Sequence, residues 1–171
     1  MSIAMTLRNE TASSITNDVV SIQGPLPSSN SCESEIKLFA YSTDFNRTGI
    51  THYHEGAGID YLFLTGNDSP KYIFNKCNRQ IYVLLAGSYK QYLSEIDGFV
   101  QLTVAGPAGD FALHNVSGAH FLSVDGETDG WQACKNTNDP YNFSKTLYQL
   151  TFDGHGYSDC ITVIVKAEYV Q

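Results

Sequence analysis

Residues 146–169, TLYQLTFDGHGYSDCITVIVKAEY, decide the fold class of this chain. Apolar side chains take every second position on both sides of a glycine-rich turn: Tyr148, Leu150 and Phe152 before it, and Val163, Val165 and Ala167 after it. Successive side chains of a β-strand point to opposite faces of a sheet, so this alternation predicts two strands with one face in a core and one in water. The stretch therefore indicates antiparallel sheet.

Short β-patterns recur through most of the chain, divided by turn residues such as Asp97-Gly98 and Gly106-Pro107. The ten candidate strands are residues 36–41, 60–65, 71–74, 80–85, 89–93, 99–104, 111–114, 120–124, 146–152 and 160–169. No segment of ten or more residues keeps the 3.6-residue period of a helix. We predict an all-β, single-domain antiparallel β-sandwich or barrel, with the sandwich favoured. A β-trefoil is the alternative, because residues 111–121 (FALHNVSGAHF) look like one lectin-type strand pair.

The beginning of the chain differs in composition from the rest. Residues 1–31 are rich in Ser, Thr, Asn and Pro, with one small apolar island at Val19, Val20 and Ile22. Such a composition buries too little apolar surface to offset the entropy of the chain. We predict a flexible tail over residues 1–31, with at most one short added strand, and an all-β globular domain over residues 32–171.

Charge and hydropathy exclude two classes of partner. The chain of 171 residues carries 10 Lys and Arg against 18 Asp and Glu, a net charge of -8, and it has no local run of basic residues. Such a chain repels phosphate backbones, so we expect no nucleic-acid partner. No stretch approaches the roughly 20 apolar residues of a membrane span.

Five Asn-x-Ser/Thr sequons favour a secreted protein: Asn9, Asn46, Asn67, Asn115 and Asn142. Roughly one or two would arise by chance in a chain with this many Asn, Ser and Thr residues. We predict a secreted glycoprotein in which most of the five carry glycans, while ordinary Asx turns are the alternative explanation for some of them. Residues 1–17, MSIAMTLRNETASSITN, contain no apolar run of the signal-peptide kind, so we expect that a signal peptide has been removed; another export route is the alternative.

Four cysteines without a CxxC pair predict two disulfides formed in an oxidising compartment rather than a metal cluster. Three connectivities are open to four cysteines. We favour Cys32 with Cys77 and Cys134 with Cys160, because pairing of neighbours along the chain suits adjacent strands.

Several short segments stand in a characteristic order along the domain. They are Leu38-Phe39-Ala40-Tyr41-Ser42 followed by Ile50, then Gly130-Trp131-Gln132-Ala133-Cys134, Tyr141-Asn142-Phe143, and Ser158-Asp159-Cys160-Ile161 with Val163, Val165 and Ala167. In this order they resemble fungal secreted cell-wall proteins of the PhiA and IgE-binding antigen type. The chain departs from that family where Asn78 and Lys135 follow cysteines that usually precede proline. The resemblance implies an extracellular, wall-associated antigen-like β domain, and it supplies no catalytic residues.

His52 and His54 form the candidate metal site. Alternate residues of a strand share a face, so the two imidazoles could bind one divalent metal. Glu55 falls on the opposite face, and a third ligand would have to come from elsewhere, with His114 and His120 as candidates. The alternative, which we favour, is a surface segment with two solvated histidines.

Exposed tyrosines form the candidate ligand-binding set: Tyr53, Tyr89, Tyr92, Tyr141 and Tyr157. Aromatic rings with polar tips suit the faces of sugar rings, as a wall-binding module requires. Trp131 lies beside Cys134 and is expected to pack in the core against a disulfide instead.

No catalytic motif is present, and there is no Gly-x-Ser-x-Gly elbow. We therefore expect a non-enzymatic cell-wall or surface protein without a cofactor, whose exposed loops bind a wall polysaccharide or a host surface molecule. The alternative is a secreted hydrolase or metal-dependent enzyme that uses His52 and His54.

Overall fold

The computed structural model of the protein describes residues 31–171, without the side chain of His155. Apart from Ser31, the predicted tail over residues 1–31 and the sequon at Asn9 lie outside the described residues. The described backbone forms the strands β1 (Glu33–Tyr41), β2 (Thr48–Gly56), β3 (Ile59–Leu64), β4 (Tyr72–Asn75), β5 (Gln80–Leu84), β6 (Lys90–Ile96), β7 (Phe99–Thr103), β8 (Phe111–Val116), β9 (Ala119–Val124), β10 (Trp131–Cys134), β11 (Tyr148–Phe152), β12 (Cys160–Thr162) and β13 (Ile164–Tyr169). Three short 3-10 helices cover Ala86–Ser88, Phe143–Lys145 and Asp153–Gly156.

Seven of these strands close a barrel. Pairing runs antiparallel from β1 to β2, β3, β7, β6, β5 and β4, and β4 returns to β1. The start of β2 lies against the loop between β3 and β4, where a Cβ atom on Gly49 would lie 1.8 Å from the carbonyl oxygen of Asp68. The all-β prediction is confirmed, and the architecture is the barrel rather than the favoured sandwich.

The remaining strands extend the sheet from two members of the ring. One arm runs from β1 through β13 to β9 and β8. The other runs from β3 through β11 to β10 and β12. The hairpin that suggested a trefoil therefore exists as β8 and β9, but it belongs to an arm outside the ring.

Apolar side chains from the ring and from both arms form one buried core. Trp131 is fully buried, donates its indole N–H to the carbonyl of Leu122 at 2.9 Å and packs edge-on against Phe152. The prediction that this tryptophan is a core residue is confirmed. In β13, Val165 and Ala167 are buried as the alternation predicted.

β11 corrects one expectation, because both of its faces are covered. Gln149 and Thr151, predicted to face water, are completely buried. Thr137 donates its hydroxyl to the Gln149 side-chain oxygen, while Gln149 Nε2 has no hydrogen-bond partner among the described residues. The Thr151 hydroxyl lies 3.3 Å from the sulfur of Cys134. A polar residue in an alternating pattern is thus buried where a second layer covers it and supplies part of its hydrogen bonding.

Both disulfides pair the cysteines as predicted. Cys32 joins Cys77, which links the start of β1 to the turn after β4, with the Cα atoms 5.4 Å apart. Cys134 joins Cys160 across opposite positions of β10 and β12, with a Cα separation of 4.1 Å. Within residues 31–171, no helix has the length and apolar character needed to cross a membrane.

Candidate functional site

The turn end of the β2–β3 hairpin and the loop of residues 135–147 bring together most of the predicted site residues. We call this region the hairpin–loop site; it consists of His52, Tyr53, His54, Glu55, Asp60, Asp139, Tyr141 and Phe143. The register of β2 against β3 shifts between His54 and Gly56, which makes Glu55 the extra residue of a β-bulge. Bulges redirect side chains and are frequent beside functional sites.

Asp60 is the centre of the histidine side of the site. This aspartate is 8% exposed; its two carboxylate oxygens lie 2.6 Å from His52 Nδ1 and 3.5 Å from His54 Nδ1. Gln91 donates a further hydrogen bond of 3.2 Å. Burial alone would raise the pKa of Asp60, but the hydrogen bonds from His52 and Gln91 outweigh it and hold the pKa below its ordinary value. Asp60 is therefore a charged acceptor for His52 and Gln91, with His54 beside it.

The two histidines of the metal-site prediction are arranged around this carboxylate. His52 and His54 do share a face, but both direct Nδ1 to a carboxylate rather than to a common vacant point. Neither predicted third ligand is near them: His114 bonds to Ser123 on the β8–β9 hairpin, and His120 packs edge-on against Tyr169. Among residues 31–171 there is no group of three or more His, Cys, Asp or Glu side chains that could hold a metal ion. His52 is a hydrogen-bond partner of Asp60, and His54 lies beside the same carboxylate.

The loop of residues 135–147 folds around a second buried carboxylate, Asp139. Its oxygens accept hydrogen bonds from the backbone N–H of Phe143 at 2.7 Å and of Ser144 at 3.0 Å, and from the Ser144 hydroxyl. Asn136, Asn138 and Asn142 take the left-handed turns with φ of 53°, 60° and 60°, a region that asparagine tolerates well. Burial raises the pKa of Asp139, but these hydrogen bonds together with one from Glu55 lower it overall.

Glu55 ties this loop to the barrel. Its Oε2 accepts the backbone N–H of Tyr141 at 2.9 Å, while Oε1 is buried and no donor among the described residues is directed at it. Burial, followed by the hydrogen bond to the Asp139 carboxyl, raises the pKa of Glu55 to about 7. A proton on Glu55 satisfies both observations, because a carboxylic acid can donate to the neighbouring carboxylate.

Aromatic rings cover the outside of the same region. Tyr53 stacks on Phe143 with ring centroids 4.9 Å apart, and Phe143 packs edge-on against Phe63. Tyr141 lies 6.4 Å from Phe143 and 6.3 Å from His54. Tyr53 is 36% exposed and Tyr141 is 58% exposed. We call Tyr53, His54, Tyr141 and Phe143 the aromatic patch.

The other predicted tyrosines lie in different surroundings. Tyr92 packs against Tyr82 on the β5–β6 side of the barrel, and the exposed Tyr89 lies just before β6. Tyr157 is close to Asp139, since burial and then the charge of Asp139 raise its pKa. The structure thus brings Tyr53 and Tyr141 together and sets Tyr89 and Tyr92 apart.

Three members of the site were missed from the sequence. Asp60 lies on the strand after the two histidines, and Asp139 meets Glu55 from a distant part of the chain, although Asp139-Pro140 is a turn-initiating pair that could have marked the loop. Phe143 lies two positions after Tyr141 and belonged to the segment quoted for the family resemblance. The four described sequon residues, Asn46, Asn67, Asn115 and Asn142, are all exposed.

Two surface grooves lie away from the site, on either side of Ile164. One has a volume of about 410 Å³ and includes His114, Phe121 and Asp129. The other, of about 550 Å³, lies between the residues after β1 and the turn from β12 to β13. Neither groove brings polar groups together as the hairpin–loop site does.

Comparison with known proteins identifies relatives of the chain. No protein-family model and no solved structure matches it. Three cell wall proteins of Candida albicans are similar: PGA31 is 35% identical over 128 residues, RHD3 is 34% identical over 148 residues, and PGA30 is 30% identical over 136 residues. These alignments cover 71%, 78% and 77% of this chain, and 42%, 65% and 48% of the respective relatives.

The chain therefore spans between two fifths and two thirds of the length of these relatives. The similarity agrees with the two disulfides, which require an oxidising compartment. The chain is a homologue of fungal cell wall proteins, and its location is extracellular and associated with the cell wall.

Proposed function

We propose that the protein is a non-enzymatic glycoprotein of the fungal cell surface that binds a wall polysaccharide at the aromatic patch. The observation that carries this proposal is the convergence of Tyr53, Tyr141 and Phe143 from a strand and a distant loop onto one surface. The apolar face of a sugar ring packs well on aromatic rings, and the tyrosine hydroxyl groups supply hydrogen bonds at the edge.

The residues beneath the aromatic patch hold its side chains in place before a ligand binds, which lowers the entropy lost on binding. Tyr53 lies on a barrel strand, Phe143 packs against two rings of that barrel wall, and Tyr141 is held through its N–H by Glu55. Side chains that are already in place lose less entropy when a ligand binds. The narrower resemblance to the PhiA and IgE-binding antigen type remains a prediction within this proposal.

Glycosylation is the second part of the proposal. Asn46, Asn67, Asn115 and Asn142 are exposed, as an acceptor of a bulky glycan must be. We expect the protein purified from a fungal secretory host to lose mass at several of these positions when N-glycans are removed enzymatically. An unchanged mass would contradict this part alone.

Retention on insoluble β-glucan, chitin and mannan tests the binding proposal. We expect one of these polymers to retain the protein, and the double variant Tyr53→Ala and Tyr141→Ala to lose about tenfold or more of that affinity. Tyr89→Ala removes an exposed tyrosine outside the patch and serves as the matched control. Equal retention of both variants would contradict binding at the aromatic patch. Retention by a host-cell surface and by none of the three polymers would show that the patch binds a host surface molecule instead.

A further inference from the structure

Glu55 and Asp139 are two carboxyl groups buried against each other between a barrel strand and a loop. They are 5% and 4% exposed, and no ion pair within residues 31–171 joins either of them to a lysine or arginine. Two charged carboxylates in such a place repel each other and cannot recover their lost hydration. The buried Oε1 of Glu55, at which no described donor is directed, is where a proton is needed.

The oxygens of Asp139 are already used in a way that suits a carboxylate. They accept two backbone N–H groups and the Ser144 hydroxyl, all from the loop itself. The proton therefore belongs on Glu55, whose other oxygen accepts the Tyr141 N–H. With that proton in place, the loop is joined to β2 by two hydrogen bonds through a single side chain.

We propose that Glu55 and Asp139 share one proton and thereby fasten the loop of residues 135–147 to β2, so that the aromatic patch is held together in mildly acidic medium and loosens in alkaline medium. The consequence for polysaccharide binding rests on the proposed function, whereas the fastening of the loop does not. The carboxyl pair behind the binding surface is thus a regulatory element.

The charged neighbour Asp60 acts on Glu55 in the same direction as Asp139. Tyr61 and Tyr157 are the other titratable groups near the pair, and burial, followed by the acidic groups, raises the pKa of both. The negative charges of Asp139 and Asp60 disfavour ionisation of Glu55. His54 is the neighbour on β2, but its Nδ1 is directed to Asp60.

The pH range follows from the two pKa directions. The pKa of Glu55 is raised from 4.5 to about 7, so its contribution to loop docking is full below about 4.5 and is lost as pH rises through about 7. The pKa of Asp139 is lowered from 3.8, so its contribution is present above 3.8 and is lost only as pH falls through that lowered value. The loop is best held between these limits.

NMR titration of the intact protein tests the fastening directly. We expect the Glu55 carboxyl carbon to titrate with a midpoint near 7, together with the amides of Tyr141 and Phe143. Amide exchange in the loop, corrected for its intrinsic pH dependence, should accelerate about tenfold or more between about pH 5 and about pH 9, while the amides of β6 and β7 stay unchanged.

Glu55→Gln is the decisive variant, because its amide donates to Asp139 at every pH. We expect it to abolish the transition near pH 7 and to keep the loop protected in alkaline medium. Glu127→Gln removes an exposed charge elsewhere and should leave the transition in place. The titration of the wild-type protein needs no variant and decides the question even if Glu55→Gln fails to fold.

Three results would overturn the inference: a Glu55 midpoint near its ordinary 4.5, a transition that survives in Glu55→Gln, or a loop whose protection depends on added Ca²⁺ rather than on pH. Polysaccharide retention at about pH 5 and about pH 9 separates the two proposals. If the loop shows its pH transition but no polysaccharide retains the protein at either pH, the binding function alone is contradicted. If retention is equal at both pH values and the loop shows no transition, the proposal for the carboxyl pair alone is contradicted.

Discussion

At the scale of single residues, Asp60 is the polar group that holds His52 in the hairpin–loop site. It is buried, it is charged, and it accepts from His52 and Gln91 at distances of 2.6 and 3.2 Å. An uncharged side chain of the same shape at this position keeps the geometry nearly unchanged. It is a weaker acceptor for the hydrogen bonds from His52 and Gln91.

We expect Asp60→Asn to lower the free energy of unfolding by about 2 kcal/mol at neutral pH, measured by denaturant titration. His54→Ala is the matched control, because its side chain is 64% exposed and lies 3.5 Å from the carboxylate; it should change stability little. The folded-state pKa of Asp60 is lowered, so its contribution is present above the ordinary 3.8 and disappears as pH falls through the lowered value. A difference between wild type and Asp60→Asn that is the same at all pH values would contradict this assignment.

At the scale of elements, the disulfide between β10 and β12 fixes the end of one arm of the sheet. β12 has three residues and pairs with β10 through Gln132, Ala133 and Cys134. So short an edge strand is held weakly by its backbone alone. The covalent bond therefore does most to keep β12 in place.

We expect the double variant Cys134→Ser and Cys160→Ser to lose roughly 3 kcal/mol of stability, since the bridge closes a loop with a sequence separation of 26. Thermal unfolding should show a drop in melting temperature of several degrees, far larger than that caused by His54→Ala. Titration of free thiols in the native wild-type protein should find none. An unchanged melting temperature in the double variant would contradict the stabilising role of the bridge.

Predictability from the sequence depended on how far apart the interacting residues are. Strand positions such as those of β13 were predictable because alternation is a local signal. The full burial of Gln149 in β11 was not, because it depends on Thr137, which belongs to a loop that the pattern could not place over the strand. The pairing of Glu55 with Asp139 was hidden for the same reason: each residue looks like an ordinary surface acid until the fold joins them.

At the scale of the whole molecule, the last strand completes the core. β13 pairs with β1 along six positions and with β9 on its other side, and Val165 and Ala167 are buried between them. Contacts between the two ends of a domain form late and favour slow, cooperative folding. The barrel and its β8–β9 arm should therefore not fold without this strand.

We expect a chain that ends at residue 159 to show no cooperative thermal unfolding by circular dichroism, because it lacks β12, β13 and Cys160. A chain that lacks only the exposed Gln171 is the matched control and should unfold like the wild type. A cooperative transition in the shorter chain would show that the seven-stranded ring is stable by itself.

The pairing of β1 with β13 also determines how the domain responds to pulling. The strands are antiparallel, and Ile36 lies opposite Tyr169, so the beginning of the first strand and the end of the last strand leave the barrel side by side. Force applied to these two points loads the ladder in an unzipping direction, in which the hydrogen bonds break one after another instead of together. Cys32 anchors the start of β1 to Cys77, so β13 is the strand that peels away. Under tension between these two points, the domain gives way at low force by losing β13, while the disulfide keeps β1 in the sheet.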